Sequence, residues 1–451
     1  MDIGSTCTKA GYAGEDCPKF VFPSVRSPPS THRSSAHARS DGCDGGVLPS
    51  QDVGVIGGED DGSKGEMHVG TNALSTQRDG MRVVKPLTDG VISDWDAAEA
   101  LLSHSYQTCL ACDPADHPLM LSEPSFNPPA AREKLAELVF EKFQAPALFL
   151  GKQAVLSAFA AGRGTALVLE IGGGVTTATA VHDGYALSKP LKRSALGGDL
   201  LNEMALKSLQ LREPAPAVQP LYTLKRTAVG PGEESVSVRD FPGTHPSYHR
   251  YAQLQLMKDV KECVCRCSFS APPPGGEMDS SAWEFEMPDR SVVDFGWERL
   301  HLPELLFTPN LLQTQPPPWT RAAGTDGLTP AAQELAGMVP EGLMGLPEMV
   351  SECIRMCDTD IRRELWGNVV LSGGGSLLPG LPERLHARLN EIVPQMSMKV
   401  KVVAASTPSE RRWATWIGGS ILASLGSFQQ LWMSKQEYEE NGASAIHRKC
   451  P

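Results

Sequence analysis

Three short turns carry the residues best suited to chemistry: Gly4-Ser5-Thr6, Gly172-Gly173-Gly174 and Gly373-Gly374-Gly375. Each follows a run of apolar, strand-like residues. Glycine lets backbone N–H groups come close to a phosphate, and the hydroxyls of Ser5 and Thr6 add donors. Lys9 follows the first turn and brings a positive charge within reach of a polyphosphate. A single glycine turn after a strand is most often only a turn. Three in one chain, two of them tied to hairpins, raise the phosphate reading. Their spacing is not that of a P-loop, and no G-x-G-x-x-G opens a helix.

The elements that must hold these turns can be read from periodicity. Residues 166–170 form an apolar strand into the second turn, and residues 175–182 a strand out of it, so a hairpin is expected. Residues 368–371 form a short strand into the third turn, followed by a helix over 381–392. Helical spacing also marks 95–109, with Asp94 as N-cap, and 130–143 and 153–161. A strand is expected over 118–122. Residues 26–66 are rich in Ser, Pro, Gly, His and Asp, and are read as a flexible insertion. Three further Pro/Gly-rich stretches, 212–247, 271–279 and 313–345, are read as surface insertions.

Several longer motifs resemble the actin superfamily. Asp2-Ile3-Gly4-Ser5 with Lys9-Ala10-Gly11-Tyr12-Ala13-Gly14-Glu15 resembles the first phosphate loop of actins. The match continues through Phe22-Pro23-Ser24, Glu123-Pro124-Ser125-Phe126-Asn127 and Gln153-Ala154-Val155-Leu156-Ser157. It runs on through Asp183-Gly184-Tyr185-Ala186-Leu187, Trp416-Ile417-Gly418-Gly419-Ser420 and Ser434-Lys435-Gln436-Glu437-Tyr438. The resemblance implies an α/β, two-lobed fold of duplicated ribonuclease H-like domains with a nucleotide cleft between the lobes. Residues 1–160 and 414–451 would form the small lobe and 161–413 the large lobe. In the family a whole apolar strand runs ahead of the aspartate matched by Asp2.

The same resemblance implies ATP, with Mg²⁺, as cofactor. Gly4, Ser5, Thr6, Lys9, Gly172, Gly173, Gly174 and Val175 would face the phosphates. Gly197, Lys261 and Glu262 would lie near the ribose and base. Gly373, Gly374, Gly375 and Leu378 would line the adenosine side, with Arg412 nearby. On composition alone, Lys261 and Glu262 read as a solvated helix face and Arg411-Arg412 as a surface pair.

Hydrolysis in actins needs a glutamine, two acidic groups on the second loop and a histidine. Gln153 matches the glutamine. Glu170 keeps one acid, a methylene longer, while Gly173 replaces the second and Thr177 stands at the histidine. Lost anchors for the metal-bound waters imply ATP binding with slow or absent turnover. Residues 26–66 replace the loop by which actins grip the next subunit, so polymerisation is not expected.

The motifs Cys109-Leu110-Ala111-Cys112-Asp113-Pro114, Ser397-Met398-Lys399-Val400 and Arg448-Lys449-Cys450-Pro451 resemble a nuclear subfamily of actin-related proteins. That class serves chromatin-remodelling and histone-acetyltransferase complexes. The partners implied are nuclear actin, a helix of the remodeller's motor subunit, other complex subunits and histones, in the nucleus. The alternatives are an actin-like ATPase able to polymerise, or a sugar-kinase relative. The runs 416–425 and 434–440 argue against the kinase.

Bulk properties agree. The chain has 451 residues, enough for two domains, with 41% hydrophobic and 21% charged residues. A net charge of −12 disfavours direct, sequence-specific nucleic-acid binding. The 11 cysteines lack a zinc-site pattern, and Cys263, Cys265 and Cys267 are read as buried free thiols. No apolar run has the length of a membrane span.

Overall fold

A computed structural model describes residues 1–27, 68–230, 233–272, 283–320, 329–394 and 398–451. The architecture is α/β, organised around two hydrophobic cores. One gathers Ile3, Leu101, Leu121, Val139 and Leu148, and is completed by Met433, Ile446 and Cys450 from the end of the chain. The other gathers Leu167, Met204, Val260, Trp366, Leu371 and Leu385.

The second core is built on a six-stranded sheet. Its order is Tyr185–Ala186, Thr176–His182, Ala166–Ile171, Val369–Ser372 and Val402–Ala404, with Lys192–Ser194 also paired to Thr176–His182. The central strand Ala166–Ile171 runs antiparallel to Thr176–His182 and parallel to Val369–Ser372. Covered on both faces, it reads as a continuous apolar run and not an alternating one. On one face, Ala154 and Ala158 of helix Gln153–Ala160 pack on Val168, Val181 and Val370. On the other, Met349 and Val350 of helix Leu346–Arg355 share the core of Leu167 and Leu169.

The first core holds two three-stranded sheets. Asp2–Ile3, Cys7–Ala10 and Phe20–Pro23 form one; Met433–Ser434, Ala147–Lys152 and Leu119–Glu123 form the other. Met1 joins them: its amino group donates to the Met120 carbonyl at 2.6 Å, and its carbonyl accepts from the Ser122 N–H. Only Asp2–Ile3 is strand ahead of the first turn.

The expected helices form with small changes. Helix Trp95–His104 starts where Asp94 accepts from the Ala97 N–H at 2.8 Å, and continues as a π-helical segment Ser105–Leu110. Pro129–Glu137 likewise passes into the π-helical segment Leu138–Lys142. Helix Leu381–Ile392 follows Gly380, whose φ of +81° suits glycine.

Two stretches read as plain loops contain regular structure. Within 212–247, Leu224–Gly230 pairs antiparallel with Glu233–Val238, favoured by β-branched Thr227, Val229, Val236 and Val238. Within 313–345, Thr329 caps helix Pro330–Gly337, and Leu335 anchors it in the second core. Proline-rich composition hid both, because Pro330 sits at a helix start, where it is tolerated. Of the expected insertion over 26–66, Arg26–Ser27 pairs with His68–Val69, and 28–66 lie outside the described residues. In the stretch 271–279, residues 273–279 also lie outside them. Cys265 and Cys267 are buried as expected, whereas Cys263, in the last turn of helix Pro246–Val264, is exposed. Among the described residues, no helix is long and apolar enough to cross a membrane.

A buried ion network fastens the end of the chain to the first core. Glu123 is 1% exposed and accepts from Arg132 Nε at 3.0 Å. Lys152 Nζ lies 2.8 Å from the same carboxylate. Arg132 also donates to the Cys450 carbonyl and meets His447 Nδ1 at 3.0 Å. Arg132→Ala leaves a buried carboxylate short of a partner, so it should cost about 3 kcal/mol. A drop in melting temperature with faster proteolysis of the C-terminal segment checks this.

Candidate functional site

Between the two cores lies a cleft of about 440 Å³. The three glycine turns meet at its floor. The first closes the hairpin of Asp2–Ile3 and Cys7–Ala10, with the Gly4 N–H donating to the Cys7 carbonyl at 3.2 Å. The second closes the hairpin of Ala166–Ile171 and Thr176–His182, with the Gly172 N–H donating to Val175 at 3.0 Å. The third leaves Val369–Ser372 and enters a short 3₁₀ turn.

The first two turns touch tip to tip across the cleft. A Cβ added at Gly173 would collide with Thr6 Oγ1, and one at Gly174 would lie 2.9 Å from Ser5 Oγ. Gly373 has a φ of +85° and turns a would-be Cβ into the Ile171 carbonyl. Arg411 braces the third turn by donating to the Ser376 carbonyl at 3.0 Å and the Ala405 carbonyl at 3.2 Å. These carbonyl contacts leave no mark in the sequence.

The cleft is lined by Gly4, Ser5, Thr6, Lys9, Gly172, Gly173, Val175, Lys261, Glu262, Gly373, Gly374, Gly375, Leu378 and Arg412, with Gln153 and Glu170. Gly174 and Gly197 are not among the lining residues. Gly174 is turned against Ser5, while Gly197 backs onto the Gly173 carbonyl at the start of helix Gly198–Gln210. Gly198 and Asp199, one and two residues on, reach the cleft instead. Sequence reading also missed Asn202, Lys258, Phe126 and Thr415 on the walls.

The charges are largely matched inside the site. Lys9 Nζ binds Asp2 at 2.6 Å, so its charge is shared before any ligand arrives. Burial works against the Lys9 ammonium, but Asp2, with smaller contributions from Cys7 and Glu170, outweighs it and holds Lys9 above the usual lysine range. Lys261 is 8% exposed and donates to the Gly198 carbonyl at 2.8 Å. It is therefore a buried wall residue, with burial lowering its ammonium to about 8. Glu262 and Arg412 form a half-exposed pair at 3.4 Å, nearer the surface reading. Burial first, and then the Asp2 charge, pushes the Glu170 carboxyl up to about 7. Thr415 Oγ1 lies 3.5 Å from it.

These residues fit a nucleotide. A Cβ added at Gly374 would meet nothing within 4 Å, so this turn leaves an open cradle on the cleft side. Glycine N–H groups beside two hydroxyls form a phosphate-binding concavity. Among the described residues, no group of three His, Cys, Asp or Glu could hold a metal ion. A Mg²⁺ ion would therefore be held through phosphate oxygens and waters.

The actin family profile matches residues 1–451. The chain belongs to the actin family. It is 42% identical over 464 aligned residues to an Arabidopsis thaliana protein named Actin-related protein 4, covering 100% of this chain and 98% of that one. A rice protein of the same name, from the indica subspecies, is 41% identical with the same coverage. Its namesake from Yarrowia lipolytica is 36% identical, covering 100% and 94%. The subfamily resemblance read from the motifs agrees with these names. Within the actin fold, the departures at Gly173 and Thr177 fall on one hairpin, where Glu170 pairs with Thr177.

The Glu170 shift has a pH signature. Its carboxyl titrates near 4.5 in the unfolded chain and near 7 when folded, so folding takes up a proton between those values. Its contribution is fully present below about pH 4.5 and is lost as pH rises through 7. Glu170→Gln removes that loss. The variant should melt on the order of 3 °C above the parent at pH 8 and alike at pH 4.5, by scanning calorimetry. A constant difference across the range would contradict the assignment.

Proposed function

We propose that this chain is a non-catalytic actin-related subunit of nuclear chromatin-remodelling and histone-acetyltransferase complexes. It binds ATP as a structural ligand and pairs with actin on a helix of the remodeller's motor subunit. Other complex subunits and histones complete its partners, and its place is the nucleus. The observation that carries the reading is the second glycine turn. Gly173 has no carboxylate and no room for one beside Thr6. Thr177 cannot act as a base near neutral pH. A cleft able to hold phosphates, which keeps Gln153 and Glu170 but lacks the second carboxylate and the histidine, favours binding over turnover.

The relatives' shared name, Actin-related protein 4, supports the actin-related part of the reading. The subunit role and the partners rest on the family resemblance. The acidic charge suits basic partners such as histone tails.

Affinity purification of the tagged chain with mass spectrometry tests the assembly. Recovery of actin with a remodeller motor supports it; recovery of filament-binding proteins alone supports the alternative, a polymerising actin-like ATPase. The cleft is tested separately by Gly373→Val. A branched side chain at φ +85°, aimed at the Ile171 carbonyl, should weaken ATP binding by at least about tenfold. Calorimetric titration beside a thermal melt separates that loss from global unfolding.

A further inference from the structure

Asp199 lines the cleft and contacts both of its sides, and nothing in the phosphate-loop motifs points to it. It belongs to the first turn of helix Gly198–Gln210, whose opening N–H groups bond the second glycine turn. Gly198 N–H donates to Gly172 at 3.0 Å, and Asp199 N–H to Gly173 at 2.8 Å. Its carboxylate then crosses the cleft. Oδ2 lies 2.9 Å from Lys85 Nζ, and Oδ1 accepts from Thr6 Oγ1 at 3.4 Å. Thr6 belongs to the opposing phosphate turn, and Lys85 precedes Leu87, which packs against the first core.

Oδ1 also lies 3.1 Å from where a Cβ on Gly173 would sit. The space that a side chain at 173 would enter is thus filled by Thr6 and by a carboxylate from another element. Farther out, Leu74 and Met81 pack on Tyr248, whose hydroxyl donates to the Leu74 carbonyl at 2.9 Å.

We propose that Asp199, with Lys85 and Thr6, forms a polar latch that controls how long a nucleotide stays in the cleft. This rests on the nucleotide-binding reading above. A ligand lodged between the glycine turns leaves when the turns part, and parting them breaks the Asp199 contacts. The pair is partly exposed, with side-chain exposures of 49% and 26%, so its effect is modest and screened by salt.

A latch and a simple charge effect predict opposite results at Asp199. If Asp199 acted only by repelling phosphates, neutralising it would slow release, whereas removing Lys85 would speed it. A latch predicts faster release from both Asp199→Asn and Lys85→Ala, each by about two- to fivefold. The double variant should be no faster than either single one.

The measurement is displacement of a fluorescent ATP analogue by excess ATP in stopped flow, with the full chain. Slower release from Asp199→Asn, or additive effects in the double variant, overturns the proposal. Hydrogen exchange on the nucleotide-free chain keeps the test independent of ligand binding. The amides of Gly198 and Asp199 should exchange about two- to fivefold faster in Asp199→Asn. Unchanged exchange overturns the latch even if no nucleotide binds. Failure of the parent to bind nucleotide, with exchange raised, overturns only the binding reading.

Discussion

Two hairpin tips from two different cores meet with no room between them, and much of the molecule is arranged around that meeting. Gly173 and Gly174 face Thr6 and Ser5 so closely that a single carbon on either glycine would have to displace a hydroxyl of the opposing turn. Backbone amides and hydroxyls can therefore surround a phosphate from two sides. The same closeness sets the chemistry. An acidic side chain at 173 would have to displace Thr6 Oγ1.

The cores are held in this relation by a second close approach. Helix Ala414–Ser424 crosses helix Gln153–Ala160 with Gly418 laid on the Leu156 carbonyl, where no side chain fits. Ser157 and Thr415 exchange a buried hydrogen bond at 3.0 Å at the same crossing. Gln153 and Thr415, one from each helix, border the cleft floor. The two helices thus pack tightly against each other beside the cleft floor.

Legibility in the sequence followed the range of the interactions. Hairpin 166–182 was readable because a doubly covered strand is a continuous apolar run ending in glycines. The cap at Asp94 was readable because it joins residues three apart. Asp199 and Arg411 were not. Their roles depend on partners such as Lys85 and Ser376, more than 30 residues away in the chain, and a lone Asp or Arg has no spacing to betray it. Lys261 shows the limit from the other side. Composition placed it on a solvated face, and only tertiary packing turned it inward. The hairpin within 212–247 was hidden by the prolines and glycines around it. Family resemblance supplied Gln153, Glu170 and Leu378 as cleft residues, which periodicity alone could not single out.

The central claim is that the cleft keeps a nucleotide whole. It is tested most directly by loading the purified chain with ATP and Mg²⁺, removing the excess, and quenching samples over a day to separate the nucleotides that remain bound. The account predicts stoichiometric ATP that persists essentially unhydrolysed. Rapid appearance of ADP, at the pace of a working actin ATPase, would contradict it.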